Sequence, residues 1–338
     1  MSTVTVVVPT YNRGEALGPV LDRLLASDCQ ELGEVEIVVV DDGSSAPAAP
    51  VVMSRQAPPG FSLKSIRQEN AGPAAARNTG FTIGHGDIVI FIDDDILVSP
   101  ELIRLHVQAH QLSHGAVIFG VCVPPPDARN HVSRLLESLY RSRPDSLTFE
   151  RVSIIASGQL SVERKSFPDG VYASELRTPA AEEFELSARL RERGIPAFNA
   201  TEIRAVHDQQ LEISDICDQQ HKHGMGCAEA ICKLPSTLVL QELGNIAMAN
   251  GPVLPHDPLA TKCKKIAKTL IAIPPARQTL VFLSELAGRV IPSYRMNAKI
   301  LRLVIGVFFF AGYREGLRHF GPSAYDASER SVTPAGRL

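Results

Sequence analysis

Short runs of β-branched residues, VTVVVPTYN near the start and VEIVVVDDGSS further on, each end in turn-forming or capping residues, the pattern of strands. Between them, GEALGPVLDRLLASD places Leu17, Leu21, Leu24 and Leu25 at helical spacing. Strand, helix and strand make one βαβ unit. A third apolar run, DIVIFIDDD, follows NAGPAAARNTGFTIG, whose alanines suit a tightly packed helix. Continuous apolar strands alternating with helices imply a parallel sheet covered on both faces, so the expected class is α/β with a mostly parallel sheet. Such sheets bind ligands beyond the carboxyl ends of their strands. Those ends here carry PTYN, DDGSS and DDD.

Further along, Glu101 to His114 reads as a helix, with Ser99 at its N-cap and His106, His110 and His114 at i, i+4 and i+8. That spacing could present three imidazoles to a metal. A polar helix face is the plainer reading, and the histidines are left out of the candidate site. The triple proline of VCVPPPDARN marks a boundary or an exposed loop. Beyond it IIASGQLSVERKSF reads as a strand followed by a helix. AAEEFELSARLRERGI reads as an amphipathic helix with Phe184, Leu186 and Leu190 inward and Glu182 and Glu183 in its first turn.

The composition narrows the function classes. A chain of 338 residues with 44% hydrophobic and 21% charged residues has the make-up of a soluble globular protein. The first residues read as a strand, not a signal peptide. Six scattered cysteines have neither zinc-site spacing nor disulfide-scaffold density, which suits reduced thiols and a cytoplasmic location. Neither GxGxxG nor GxxxxGK[ST] occurs, which argues against a dinucleotide oxidoreductase or a P-loop ATPase. The net charge of −3 hides an asymmetry, because residues 261–320 hold eleven Lys and Arg against two acids. In LRLVIGVFFFAGYREGLR, eleven uncharged residues separate Arg302 from Arg314, short of the roughly 20 that a spanning helix needs. Basic residues flanking short apolar segments over 262–318 suit helices lying on an anionic membrane surface, such as its cytoplasmic face. Core packing or a homodimer interface would account for the same pattern.

Three consecutive aspartates, Asp93, Asp94 and Asp95, end the DIVIFI strand. Adjacent carboxylates repel and lose hydration beside an apolar core, so such a cluster persists when something positive sits among them. A divalent metal is the first candidate; a solvated turn capping the next helix is the alternative.

VVVPTYNRGEAL, VVVDDGSS, NAGPAAARNTG, FIDDDILVSPELI, SGQLSVERKSF and EEFELSARLRERG occur in the order and at roughly the spacing seen in family 2 glycosyltransferases of the GT-A fold, and over about residues 3–210 the chain resembles that family. The resemblance implies a Rossmann-like nucleotide-binding sheet with flanking helices and a C-terminal helical region. It implies an inverting enzyme that moves a sugar from a nucleotide-sugar, a UDP-sugar first, to a saccharide, lipid-linked or small-molecule acceptor. Mg²⁺ or Mn²⁺ would be held by a DxD motif, here Asp93 and Asp95, with Asp94 between them and His207 completing the metal shell. Pro9, Thr10, Tyr11, Asp41 and Arg77 fall where relatives surround the base, while Asp42 reads as a structural partner in the turn. The acceptor-side pair, usually Glu-Asp, is Glu182 and Glu183 here, so Glu183 is the expected general base, one methylene longer than Asp. Relatives often have Gly where this chain has Ala181. The expected organisation is a nucleotide-sugar-binding half over 1–115, an acceptor-binding half over 116–233 and a helical region over 234–338, with no nucleic-acid partner. A nucleotide-sugar-binding protein that has lost catalysis and a nucleotidyltransferase are the rival readings.

Overall fold

A computed structural model of the chain describes residues 2–125, 149–151, 158–209, 212–234, 250–291 and 293–321. The elements run Val4–Thr10 (β1), Gly14–Leu25 (α1), Val35–Asp41 (β2), Ala49–Met53 (α2), Phe61–Arg67 (β3), Pro73–Ile83 (α3), Ile88–Ile92 (β4), Ile96–Val98 (β5), Leu102–Leu112 (α4), Val117–Val123 (β6), Phe149–Arg151 (β7), Gln159–Glu163 (β8), Ala181–Glu192 (α5), Ala197–His207 (β9), Ile213–Lys233 (α6), Leu259–Ile271 (α7), Pro274–Val290 (α8) and Tyr294–Phe320 (α9). Helix α4 begins at Leu102, and the carbonyl of Ser99, not its side chain, accepts from the Leu102 N–H.

The chain forms two compact units. The first contains the sheet, in the order β3-β2-β1-β4-β8-β6-β9-β5, with β7 paired to β9. Its β3, β2, β1 and β4 run parallel, as the βαβ pattern predicts. The other half alternates: β8 is antiparallel to β4 and β6, β9 is parallel to β6, and β5 and β7 are antiparallel to β9. The class is α/β as expected, and the sheet is mixed.

Strands β1, β2 and β4 are almost wholly buried because helices cover both faces. Leu17, Val20, Leu21 and Leu24 of α1 pack with Val6, Val8, Ile37, Val39 and Ile90 on one face, each side chain contributing about 1.5–3 kcal/mol on full burial. On the other face α3 lies close because Ala76 and Gly80 are small; a Cβ on Gly80 would meet the Val7 side chain at 2.3 Å.

The second unit takes Thr178–Arg189 and helices α6 to α9. Helices α6 and α9 pack backbone to backbone, since a Cβ on Gly224 would lie 2.2 Å from the Phe309 carbonyl oxygen and one on Gly312 1.9 Å from that of His221. Tyr313 is fully buried there with Cys227, Ala228 and Ile231. Strands β6, β8 and β9 pair into the same sheet as the N-terminal strands, so the sheet runs across position 115. The eleven uncharged residues between Arg302 and Arg314 lie inside α9. Its stretch Met296–Phe320 is continuous, long and apolar enough by length and composition to cross a membrane, with a window of mean hydropathy 1.4 that is 39% buried. A core helix meets the same criteria, and packing against α6 buries one face of α9 within its unit, including Val307, Phe310 and Tyr313.

Candidate functional site

The carboxyl ends of β1, β2, β4 and β9 meet at one rim of the sheet, because β9 runs parallel to β6 and the two antiparallel steps through β8 restore the direction of β4. The loops after β1 and β2 are tied together. Asn12 takes a left-handed φ of 56°, which Asn tolerates. Its N–H donates to Ser44 Oγ at 2.9 Å and its Oδ1 accepts from the Ser45 N–H at 2.7 Å. Asp41 is buried, with its carboxylate accepting from the N–H groups of Ser44 at 2.8 Å and Ala48 at 3.0 Å. Burial works against its charge, but Ser44, Ala48 and the nearby Arg67 hold its pKa below the usual carboxylate range. Asp42 accepts from the N–H groups of Ala71 and Gly72, both at 2.9 Å, and from Gln68 and Asn70. Both aspartates of DDGSS therefore anchor loops. Beside them Pro9 is half-buried, and Tyr11 exposes 49% of its surface, leaving a ring face open to a ligand.

Each of the three consecutive aspartates has its own partners. Asp93 accepts from Arg77 Nη2 at 2.7 Å. Asp94 accepts from Thr10 Oγ1 at 2.6 Å and lies 3.5 Å from Arg13 Nη1. Asp95 Oδ2 accepts from Arg13 Nη1 at 2.7 Å and Gln209 Nε2 at 2.7 Å, and meets His207 Nε2 at 3.1 Å. The register explains the arrival of His207: β5 pairs antiparallel with β9 so that Ile96 faces His207, and the Asp208 N–H donates to the Asp95 carbonyl at 2.8 Å. The positive charge that the acids require is thus supplied by Arg13, Arg77 and His207, from three separate segments.

The titrations follow from these contacts. Burial pushes Asp94 up to about 6, against the Thr10 hydrogen bond and the Arg13 charge, with repulsion from Asp95 and Asp93 adding to the rise. Burial would raise Asp95 too, but His207 and Arg13 outweigh it and hold its pKa below the ordinary value. Burial opposes charge on His207, yet the hydrogen bond and charge of Asp95, with Asp93, lift its pKa above the usual imidazole value.

Arg77 is buried and stacks over the Tyr172 ring, 5.4 Å from its centroid, and Tyr172 meets Phe91 edge to face. Asn78 holds Tyr172 in place, accepting from the N–H groups of Val171 and Tyr172 and donating to the Tyr172 carbonyl at 2.6 Å. Arg13, Asn78, Tyr172 and Gln209 join the site only in three dimensions. Arg13 sits in the same YNRG stretch as Tyr11 and Asn78 follows Arg77, so their neighbours were the available signal. Gln209 and Tyr172 had none.

Glu182 and Glu183 belong to the helical unit, in the first turn of α5. Glu182 is 2% exposed and Glu183 is half-buried. The turn is shaped by Ala180 at φ 70°, an uncommon conformation for a residue with a Cβ. It is anchored by Glu229 of α6, whose Oε2 accepts from the Thr178 N–H at 2.7 Å.

The histidines of α4 are accounted for within the sheet unit. His106 and His110 are buried and both bond Ser161 Oγ at 2.8 Å, with His106 also 3.2 Å from Gln159 Oε1. His114 meets Glu163 at 2.9 Å. They face β8 and form no metal site.

The divalent cation expected at the rim finds suitable donor chemistry. Asp93 and Asp95 offer hard oxygens, and a Mg²⁺-type ion is commonly held by one or two carboxylates plus substrate phosphates. Among the described residues no group of three His, Cys, Asp or Glu is arranged to hold a metal alone. The residues therefore fit a cation that is completed by its ligand, not an all-protein cage.

Residues 5–170 match the model for glycosyl transferase family 2. That segment, just under half of the chain, is a family 2 glycosyltransferase domain. Over 118 residues it is 36% identical to an uncharacterized glycosyltransferase, YfnE, of Bacillus subtilis, covering 35% of this chain and 29% of the relative. Over 115 residues it is 33% identical to the undecaprenyl-phosphate 4-deoxy-4-formamido-L-arabinose transferase of Photorhabdus laumondii, covering 34% of this chain and 35% of that one. The match thus spans about a third of each curated relative. Among solved structures, a mannosyltransferase from Pyrobaculum calidifontis in complex with GDP-Man and Mn²⁺ aligns with a TM-score of 0.59 at 18% identity, over 91% of this chain and 86% of the other. At that identity the likeness is one of fold.

Proposed function

We propose that this family 2 protein is an inverting glycosyltransferase that moves a sugar from a nucleotide-sugar to an acceptor hydroxyl. The observation that carries the reading is the acid rim: Asp93, Asp94 and Asp95 sit at the carboxyl end of β4, compensated by Arg13, Arg77 and His207 beside an exposed Tyr11 face.

Asp95 and Asp93 would hold the divalent cation, with His207 oriented at Asp95; when bound, the cation neutralises charge growing on the leaving diphosphate. Arg13 and Arg77, already gathered among the acids, add fixed positive charge at the same rim, and preorganised charge of this kind is usually the largest contribution to such catalysis. Pro9, Thr10 and Tyr11 line the base side, where Asp41 shapes the loop and Tyr11 offers a stacking face. Glu183 takes the acceptor proton as general base, with Glu182 beside it in the first turn of α5. The donor tested first is a UDP-sugar, with GDP- and dTDP-sugars as rivals. A lipid-linked acceptor is favoured by the likeness to the Photorhabdus transferase, whose name specifies undecaprenyl phosphate.

Calorimetric titration of UDP, GDP and dTDP, each with Mn²⁺ and with chelator, tests the donor half. Metal-dependent binding of one nucleotide supports it, and no binding under either condition sinks it. Glu183→Gln tests the acceptor half: turnover should fall at least 100-fold with nucleotide affinity unchanged. Undiminished turnover would remove Glu183 from the mechanism.

A further inference from the structure

Helices α7 and α8 are built inside out. On α7, Leu259, Ile266 and Leu270 recur at intervals of seven and four residues and so share one face, and that face is outward, with Leu259 78% and Leu270 63% exposed. Lys265 and Lys268 of the same helix turn inward. Lys265 is fully buried, donating to Asp257 at 2.7 Å and to the Pro252 carbonyl at 2.9 Å, and Lys268 reaches Asn250 at 2.9 Å and lies over the Phe310 ring.

Helix α8 repeats the inversion. Phe282, Leu286 and Val290, four residues apart, form its outward stripe, with Phe282 63% and Val290 69% exposed, while Arg277 lies inward over the Phe308 ring. A helix in water puts its apolar face inward and its cations outward. Two touching helices of one unit that do the reverse mark a surface whose outer medium is apolar.

Charge selects that medium. Between Leu259 and Val290 there are six Lys and Arg against the single acid Glu285, and Lys264 and Arg289 are exposed beside the stripes. Shallow apolar stripes bordered by cations match a bilayer interface carrying anionic headgroups, where apolar side chains enter the acyl boundary and each nearby Lys or Arg gains from the surface potential. We propose that the outward faces of α7 and α8 dock this protein on an anionic lipid surface. The inference stands apart from the transferase reading, since it uses no residue of the rim or of α5.

The test is co-sedimentation of the full chain with vesicles of phosphatidylcholine containing about 30% phosphatidylglycerol and with vesicles of phosphatidylcholine alone. The expected result is binding to the anionic vesicles at least tenfold stronger than to the neutral ones and weakened by salt. Phe282→Ser combined with Leu286→Ser should reduce it at least tenfold. Because both side chains point outward, the melting temperature should hold. Should that variant prove unstable, Lys264→Gln with Arg289→Gln serves instead and should erase the preference for anionic vesicles. Wild-type protein that stays in the supernatant, or binding indifferent to headgroup charge and to the folded variants, overturns the proposal. So does a wild-type dimer, measured by light scattering, that the Phe282/Leu286 variant converts to monomer, since the stripes would then face a second copy.

Discussion

The acid rim and the histidine face of α4 lie in the same unit, and each gathers three like titratable residues. The aspartates are held by charges: Arg13, Arg77 and His207 come from different segments, and Asp95 alone meets three donors. His106 and His110 are held by neutral groups, Ser161 and Gln159 of one strand. A buried group with charged partners keeps its charge and can exchange those partners for a ligand. One with neutral partners surrenders its charge and becomes core. Burial drives His106 down to about 3 and His110 to about 4, whereas Asp95 is held below its ordinary value.

The largest expected effect comes from removing the carboxylate at the centre of the rim. Asp95→Ala should lower metal-dependent nucleotide affinity at least 100-fold, about 3 kcal/mol, by calorimetry. Unchanged affinity would make the rim as inert as the histidine face. Next is Arg13→Ala, which leaves Asp94 and Asp95 short of a cation. Removing one partner of a buried pair costs about 3–5 kcal/mol, but the Arg13 side chain is 38% exposed, so about 1–2 kcal/mol is expected at pH 7.5. The deficit should shrink toward pH 5 as Asp94, with a pKa of about 6 even beside Arg13, becomes neutral. Urea titrations at the two pH values measure it.

The histidine face predicts a pH dependence of its own. Below pH 6.5 the unfolded chain protonates His106 and His110, while in the folded chain they resist until about pH 3 and about pH 4 respectively, so their contribution is complete above 6.5 and is lost as pH falls. Two such groups add a slope of about 2.7 kcal/mol per pH unit near pH 5, and His110→Gln should halve it in acid denaturation curves. The smallest effect is expected at His114, whose side chain is 73% exposed: His114→Ala should change stability by less than about 1 kcal/mol.

The parallel strands β1, β2 and β4, helices α1 and α3, and the meeting of PTYN, DDGSS and DDD at one rim were legible in the sequence, because local periodicity and strand polarity determine them. The need for positive charge among three aspartates was legible as well. Its source was not, since Arg13 and His207 lie 82 and 112 positions from Asp95, and spacing carries no information on pairing across a sheet. Counting uncharged residues between Arg302 and Arg314 treats the chain as a line, whereas α9 is a 27-residue helix whose burial depends on glycine-mediated contact with α6.

By itself the sequence determined the α/β class, the family motifs and the chemical character of the rim, all consequences of neighbours along the chain. Only the tertiary structure decided which cation answers which aspartate, that His106 and His110 are neutral core, and that α7 and α8 turn their leucines outward. Each of those depends on what packs against a side chain from a distant segment, and the free energy of burying or exposing a group is a property of that surrounding and not of its place in the chain.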